Sequence, residues 1–172
     1  MRIRSAQPRD AQALGEVHVA AWQAAYRDLM PDAYLDGLSV DERVGVWEQV
    51  LARTPVEGVT RLVCVDQHDR PLGFAVSGPT AVAEEAVGVG EIYVLNVLPT
   101  AWGRGHGRQL LLASQDALRE GGHKQAVLWV VDRNQRARAF YEREGWHYDE
   151  GGERFEEVYG MRVCEVRYRR DL

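Results

Sequence analysis

The run Val97-Leu98-Pro99-Thr100-Ala101-Trp102-Gly103-Arg104-Gly105-His106-Gly107-Arg108 leads, after Gln109, into Leu110-Leu111-Leu112. It reads as a strand end, a glycine-rich turn and a helix start, an order that points free backbone N–H groups and a helix dipole at an anion. Gly103, Gly105 and Gly107 alternate with larger residues, so the backbone can take positive φ and approach a ligand without Cβ contacts. Arg104 and Arg108 add mobile positive charge, which suits a pyrophosphate. A nucleoside-triphosphate loop would need Lys-Ser/Thr after its last glycine, and Gly107 is followed by Arg108-Gln109. A dinucleotide fingerprint counted from Gly103 would need glycine at position 108, which is arginine. A glycine-rich surface turn before an ordinary helix is the competing explanation.

The elements that must hold this loop alternate along the chain. A short strand at Arg2 to Ser5 precedes a helix from about Pro8, with Asp10 near its positive end and Leu14, Val17, Ala21 and Ala25 at helical spacing. A helical turn at 32 to 37 follows Pro31, and Ser39 caps a helix over Asp41 to Leu51. Strands at Arg61 to Val65 and Leu72 to Val76 flank the polar turn Gln67 to Pro71. A third strand, Gly88 to Leu98, delivers the chain into the glycine loop, and a helix from Arg104 to about Glu120 stops at Gly121-Gly122. Ala126 to Val131 reads as an interior strand, and Asn134 caps a helix from Gln135 to Glu144 that ends at Gly145. Trp146 to Tyr148, Phe155 to Tyr159 and Met161 to Tyr168 complete a mixed sheet in an α/β chain.

At 172 residues, 45% of them apolar, the chain suits one compact domain spanning 1–172. No apolar run approaches the ~20 residues that span a bilayer, and Met1 to Ser5 turns polar without a signal-peptide core, so the cytoplasm is the expected compartment. Cys64 and Cys164 sit singly in apolar segments as free thiols, and the five histidines show no paired ligand spacing, so no metal is expected. A net charge of −5 and a pI near 5.6 argue against a nucleic-acid partner and suit an amine.

The order of elements resembles the GNAT superfamily of N-acetyltransferases, carried by two blocks. One joins Glu91-Ile92-Tyr93-Val94-Leu95-Asn96-Val97-Leu98-Pro99 to Trp102-Gly103-Arg104-Gly105-His106-Gly107-Arg108; the other is Asn134-x-x-Ala137-x-Ala139-Phe140-Tyr141-Glu142-x-x-Gly145-Trp146. Trp102 departs from the Gln or Arg usual three positions before Gly105. The resemblance implies a mostly antiparallel central sheet with helices on both faces, splayed at the cofactor site, and acetyl coenzyme A as the acyl donor. It implies that the backbone of Leu95, Asn96 and Val97 holds the pantetheine arm, which requires a local splay because a fully paired ladder leaves no free N–H. It also implies that Gly103, Arg104, Gly105, His106, Gly107 and Arg108 cradle the pyrophosphate, with Asn134 and Tyr141 along the cofactor's lower arm.

For acyl transfer, the resemblance makes Tyr141 the proton donor or hydrogen-bond partner of the leaving thiolate; an aromatic core pair with Phe140 is the alternative. Glu91 is the candidate general base, its pKa raised by an apolar strand context, directly or through water; the alternative is a solvated strand-end charge after Gly90. Trp22 and Tyr26, four apart on one helical face, form a candidate aromatic wall for the amine, and Tyr93 shares strand parity with Glu91. His18 continues the Trp22 face as a structural histidine, and His106 is expected to face solvent. The leading expectation is acetyl transfer to the primary amine of a small molecule. The alternatives are a protein N-terminal or lysine acceptor, or a non-catalytic acyl-coenzyme A sensor. A monomer and a homodimer are both compatible with the charged carboxyl-terminal strand.

Overall fold

The computed structural model describes residues 2–80, 88–158 and 160–172. Tyr159, assigned to a strand from sequence, lies outside the described residues. Among the described residues seven strands form one sheet: β1 (Arg2–Ser5), β2 (Thr60–Val65), β3 (Pro71–Pro79), β4 (Val89–Val97), β5 (Gln125–Val131), β6 (His147–Val158) and β7 (Met161–Asp171). Their order is β1-β2-β3-β4-β5-β7-β6. Among the described strands only the β4–β5 pair is parallel, joined by the crossover helix α4 (His106–Glu120), so the sheet is mixed and mostly antiparallel.

The remaining helices are α1 (Ala11–Ala25), α2 (Asp32–Asp36), α3 (Val40–Ala52) and α5 (Gln135–Arg143). Helices cover both sheet faces because α1 and α3 contribute apolar side chains to one cluster and α4 and α5 to another. On one face Leu14 and Val17 of α1 and Trp47 of α3 pack against Val63, Val65 and Phe74. On the other, Leu111 and Leu118 of α4 and Tyr141 of α5 pack with Ile92, Leu128, Trp146 and Tyr168. Full burial of Trp146 and Leu111 contributes about 2–3 kcal/mol each. The α1–α3 contact is close at Gly15, where a Cβ would lie 2.5 Å from Val44 Cγ2. No helix among the described residues is long and apolar enough to cross a membrane.

Several boundaries differ from the sequence reading, each for a local reason. Pro8–Asp10 is a 3₁₀ turn ahead of α1, and Asp10 does more than favour a dipole. Its carboxylate accepts from Gln7 N–H at 2.8 Å and takes both terminal nitrogens of Arg4 at 2.7 and 2.8 Å, pinning β1 to the helix start. Asp10 is buried beside that guanidinium. Its pKa nevertheless falls below the usual carboxylate range, because the Arg4 and Gln7 hydrogen bonds together outweigh burial, which is the largest single influence. Strand β4 does not run straight into the glycine loop: Pro99–Ala101 forms a 3₁₀ turn first. Helix α4 begins at His106 rather than Arg104, because Gly105, at φ 82°, is its left-handed N-cap. Residues 147–158 form one strand, bent where the register with β7 shifts between Tyr148 and Glu153.

Candidate active site

The sheet opens between β4 and β5. These strands pair from Val89↔Gln125 to Ile92↔Leu128 and no further. Beyond that fork β4 pairs only with β3 and β5 only with β7. The β3 register places Ser77 opposite Ile92 and Val76 opposite Val94, so Tyr93 is an extra residue in β4, a bulge at the fork. The bulge resets the alternation: Ile92 and Leu95 face the α4 side, while Val94 packs on the α1 side. Past Ile92 the β5-facing edge of β4 therefore has no strand partner among the described residues.

A cavity of about 520 Å³ fills the opening and runs from the glycine loop to α1 and β7. Of the residues singled out from sequence, Leu95, Asn96, Val97, Gly103, Gly105, His106, Gly107, Arg108, Asn134 and Tyr141 line it, as do Trp22, Tyr26 and Tyr93. Arg104 is exposed and lies outside the lining. Glu91 also lies outside it: the carboxylate is buried and Oε2 accepts from Thr80 Oγ at 2.8 Å. The Tyr93 hydroxyl donates to the Pro79 carbonyl.

The loop combines two left-handed glycines with a helix start. Gly103 and Gly105 have φ of 72° and 82°, and no atom lies within 4 Å of a Cβ added at either. Gly107 does not share that conformation; it is helical, with space for a Cβ against Phe140, Val97 and Leu95 at ordinary contact distances. His106 is half-buried rather than solvent-facing, with Nδ1 3.4 Å from the Cys64 thiol beneath the loop. Burial and the neighbouring Arg104 lower its pKa.

Trp102, the residue unusual for the loop, has a structural role there. Its indole N–H donates to the Val97 carbonyl at 2.7 Å, closing the turn from β4, and Arg136 lies over its ring at 3.4 Å. Arg136 and Arg143 of α5 line the cavity together with Arg108, whose Nε contacts Glu144 at 3.0 Å. Sequence reasoning missed the two α5 arginines, because their direction depends on how α5 packs; their spacing from Asn134 was the only available signal.

Asn134 caps α5 by accepting from Ala137 N–H at 3.1 Å and lies near the Tyr26 phenol. Burial, and then the charge of Glu165, push the Tyr26 phenol up to about 12, with Asn134 drawing it partly back. Burial, then Tyr26, raises the Tyr141 phenol well above its ordinary value, so it remains protonated. His18 stacks on Trp22 with ring centroids 5.5 Å apart, and Trp22 meets Tyr26 edge-on at 5.1 Å. Burial, with Arg43 nearby, lowers His18 to about 4, a neutral structural imidazole that does not line the cavity.

Two further lining residues come from the other side of the fork: Trp129 of β5 and Glu165 of β7. The Trp129 indole N–H and the Asn96 amide nitrogen are buried without a hydrogen-bond partner. Both are donors, so together they suit a ligand that presents carbonyl oxygens.

The model of the acetyltransferase (GNAT) family matches residues 16–146, a span that includes the loop, the fork and Tyr141. The chain belongs to the GNAT family of acetyltransferases. It is 28% identical over 164 residues to the uncharacterized N-acetyltransferase YuaI of Bacillus subtilis, covering 95% of this chain and 89% of that protein. A 57-residue stretch, 33% of this chain and 19% of the relative, is 51% identical to the mycothiol acetyltransferase of Beutenbergia cavernae. The GNAT fold is shared with the PaiA N-acetyltransferase of Thermoplasma acidophilum, solved with coenzyme A, at a TM-score of 0.70 and 16% identity over 99% of this chain and 98% of that one.

Proposed function

We propose that this GNAT acetyltransferase moves an acetyl group from acetyl coenzyme A to the primary amine of a small molecule by direct attack. The observation that carries this reading is the fork: an open β4 edge, a glycine cradle and two orphaned buried donors border one cavity. Gly103 and Gly105 give a pyrophosphate room to approach the backbone, and the α4 N-terminus adds the favourable end of a helix dipole. Arg108, Arg136 and Arg143 supply positive charge at the phosphates. The open edge at Leu95 to Val97, with Asn96, takes the amide oxygens of the pantetheine arm.

Acetyl coenzyme A supplies a thioester carbonyl carbon open to attack and a thiolate leaving group. Tyr141, kept protonated by burial, donates a hydrogen bond toward the departing sulfur. Full proton transfer from so weak an acid to a thiolate, whose conjugate acid titrates near ~8.5, runs uphill, so the hydroxyl acts chiefly as a donor. Glu91, set back from the cavity wall, takes the amine proton through a bridging water. The similarity to a mycothiol acetyltransferase favours a small acceptor over a peptide.

The test is thiol release from acetyl coenzyme A with a panel of polyamines, aminoglycosides, amino-acid derivatives and peptides. Turnover is expected with small primary amines. Turnover confined to peptides would replace the acceptor class, and bound acetyl coenzyme A without any turnover would favour the sensor reading.

A further inference from the structure

We propose that Glu165 and Trp129 form the acceptor subsite, selecting primary amines with an apolar body and no carboxylate beside the amine. This rests on the acetyl-transfer reading above. Among the described residues two carboxylates line the cavity, and Glu144 is already held by Arg108. Glu165 is held differently. Arg154 reaches it from outside the cavity lining, with Nε at 2.8 Å and Nη2 at 2.7 Å, and both contacts fall on Oε2. The second oxygen is left for a donor in the cavity, while the guanidinium fixes the side chain from behind.

Trp129 follows Leu128, the last β5 residue paired with β4, so it stands at the mouth of the fork. Glu165 sits opposite Val131, two residues along the same face. Arg154 also lies over the Trp129 ring at 4.3 Å, tying the two residues into one unit. The adjoining walls are Trp22, Tyr26 and Tyr93, so an amine here meets aromatic surfaces around the open oxygen of Glu165. The arginines that line the cavity come from α4 and α5, while the carboxylate free of them comes from β7. The neutral amine donates an N–H to the open Glu165 oxygen while its apolar body meets the rings, and a carboxylate next to the amine is repelled.

The test compares phenethylamine with phenylalanine as acceptors for the wild type, Glu165→Gln and Trp129→Phe, with acetyl coenzyme A titrated calorimetrically into each. The wild type is expected to prefer phenethylamine by about tenfold or more in kcat/KM. Glu165→Gln is expected to raise the phenethylamine KM about tenfold or more and to erase that preference, as loss of a hydrogen bond to a charged group implies. Its kcat stays within about threefold and its acetyl coenzyme A affinity within about twofold, because the glycine loop, the open β4 edge and Tyr141 are untouched. Trp129→Phe keeps an aromatic ring but a smaller and weaker one for an amine, so it serves if the first variant unfolds, and it raises the same KM about threefold. Unchanged KM and preference in both variants overturn the subsite. A wild type that binds acetyl coenzyme A but acetylates phenylalanine equally well, or neither compound, overturns the acceptor class while the cofactor reading stands. A wild type that does not bind acetyl coenzyme A overturns both.

Discussion

The two walls of the cleft are built from different materials. The wall at the glycine loop is largely backbone: Gly103 and Gly105 in left-handed conformations, the start of α4, and the unpaired edge of β4. The wall facing it is side chains, with Trp22 and Tyr26 from α1, Trp129 from β5 and Glu165 from β7 meeting across the fork. A backbone wall tolerates changes of side chain but not the addition of a Cβ where the chain turns left-handed. A side-chain wall behaves in the opposite way, and it responds to the charge state of the groups packed behind it.

The sharpest way to break this contrast is Gly105→Val. The branched side chain both strains φ 82° and enters the cavity, so acetyl coenzyme A binding is expected to weaken by roughly a hundredfold, measured by calorimetry. Retained affinity would mean that the loop is only a turn. Tyr141→Phe should leave that affinity unchanged and lower kcat by about thirtyfold, the loss of one hydrogen bond to a charged sulfur, measured as thiol release at saturating substrates. An equal loss of affinity would place the hydroxyl in ground-state binding instead.

The side-chain wall has its own signature in acid. Folded His18 titrates at about 4 against an ordinary 6.5, so the unfolded chain takes up its proton first. Stability from this residue is intact above 6.5 and is lost as pH falls toward 4, amounting to about 2 kcal/mol between pH 7.5 and pH 5. Chemical denaturation of wild type and His18→Gln at both pH values measures it: the wild type should lose that much more than the variant. Equal losses would detach His18 from the Trp22 and Tyr26 stack. The smallest effect is expected for Asn134→Ala, about 1 kcal/mol of stability from the lost α5 cap, read as a lower melting temperature.

The same contrast explains what was legible in the sequence. The loop wall is contiguous, so the alternation of Gly103, Gly105 and Gly107 pointed to it through spacing, while Asn134 and Tyr141 were placed beside it only through the resemblance to the family. Even there, spacing did not distinguish the left-handed Gly105 from the helical Gly107, because both sit at the same helix start. The splay at Leu95 to Val97 was expected from the resemblance and the need for free N–H groups there, but the point after Ile92 where it begins was not. It depends on the bulge at Tyr93, which moved Val94 rather than Leu95 to the α1 side. Glu165 was invisible because its place in the cavity follows from β7 entering the sheet beside β5, ahead of β6. Trp129 read as one more apolar residue of an interior strand, since nothing local marks where β4 leaves its neighbour.

The central claim is that the fork between β4 and β5 is an acetyl coenzyme A site. Calorimetric titration of the wild-type protein with acetyl coenzyme A, with ATP and NAD as controls, tests it most directly. One molecule bound per chain, with micromolar affinity and no comparable heat from either control, is the predicted result. No binding, or equal binding of ATP, would contradict the account and leave the glycine loop an ordinary turn.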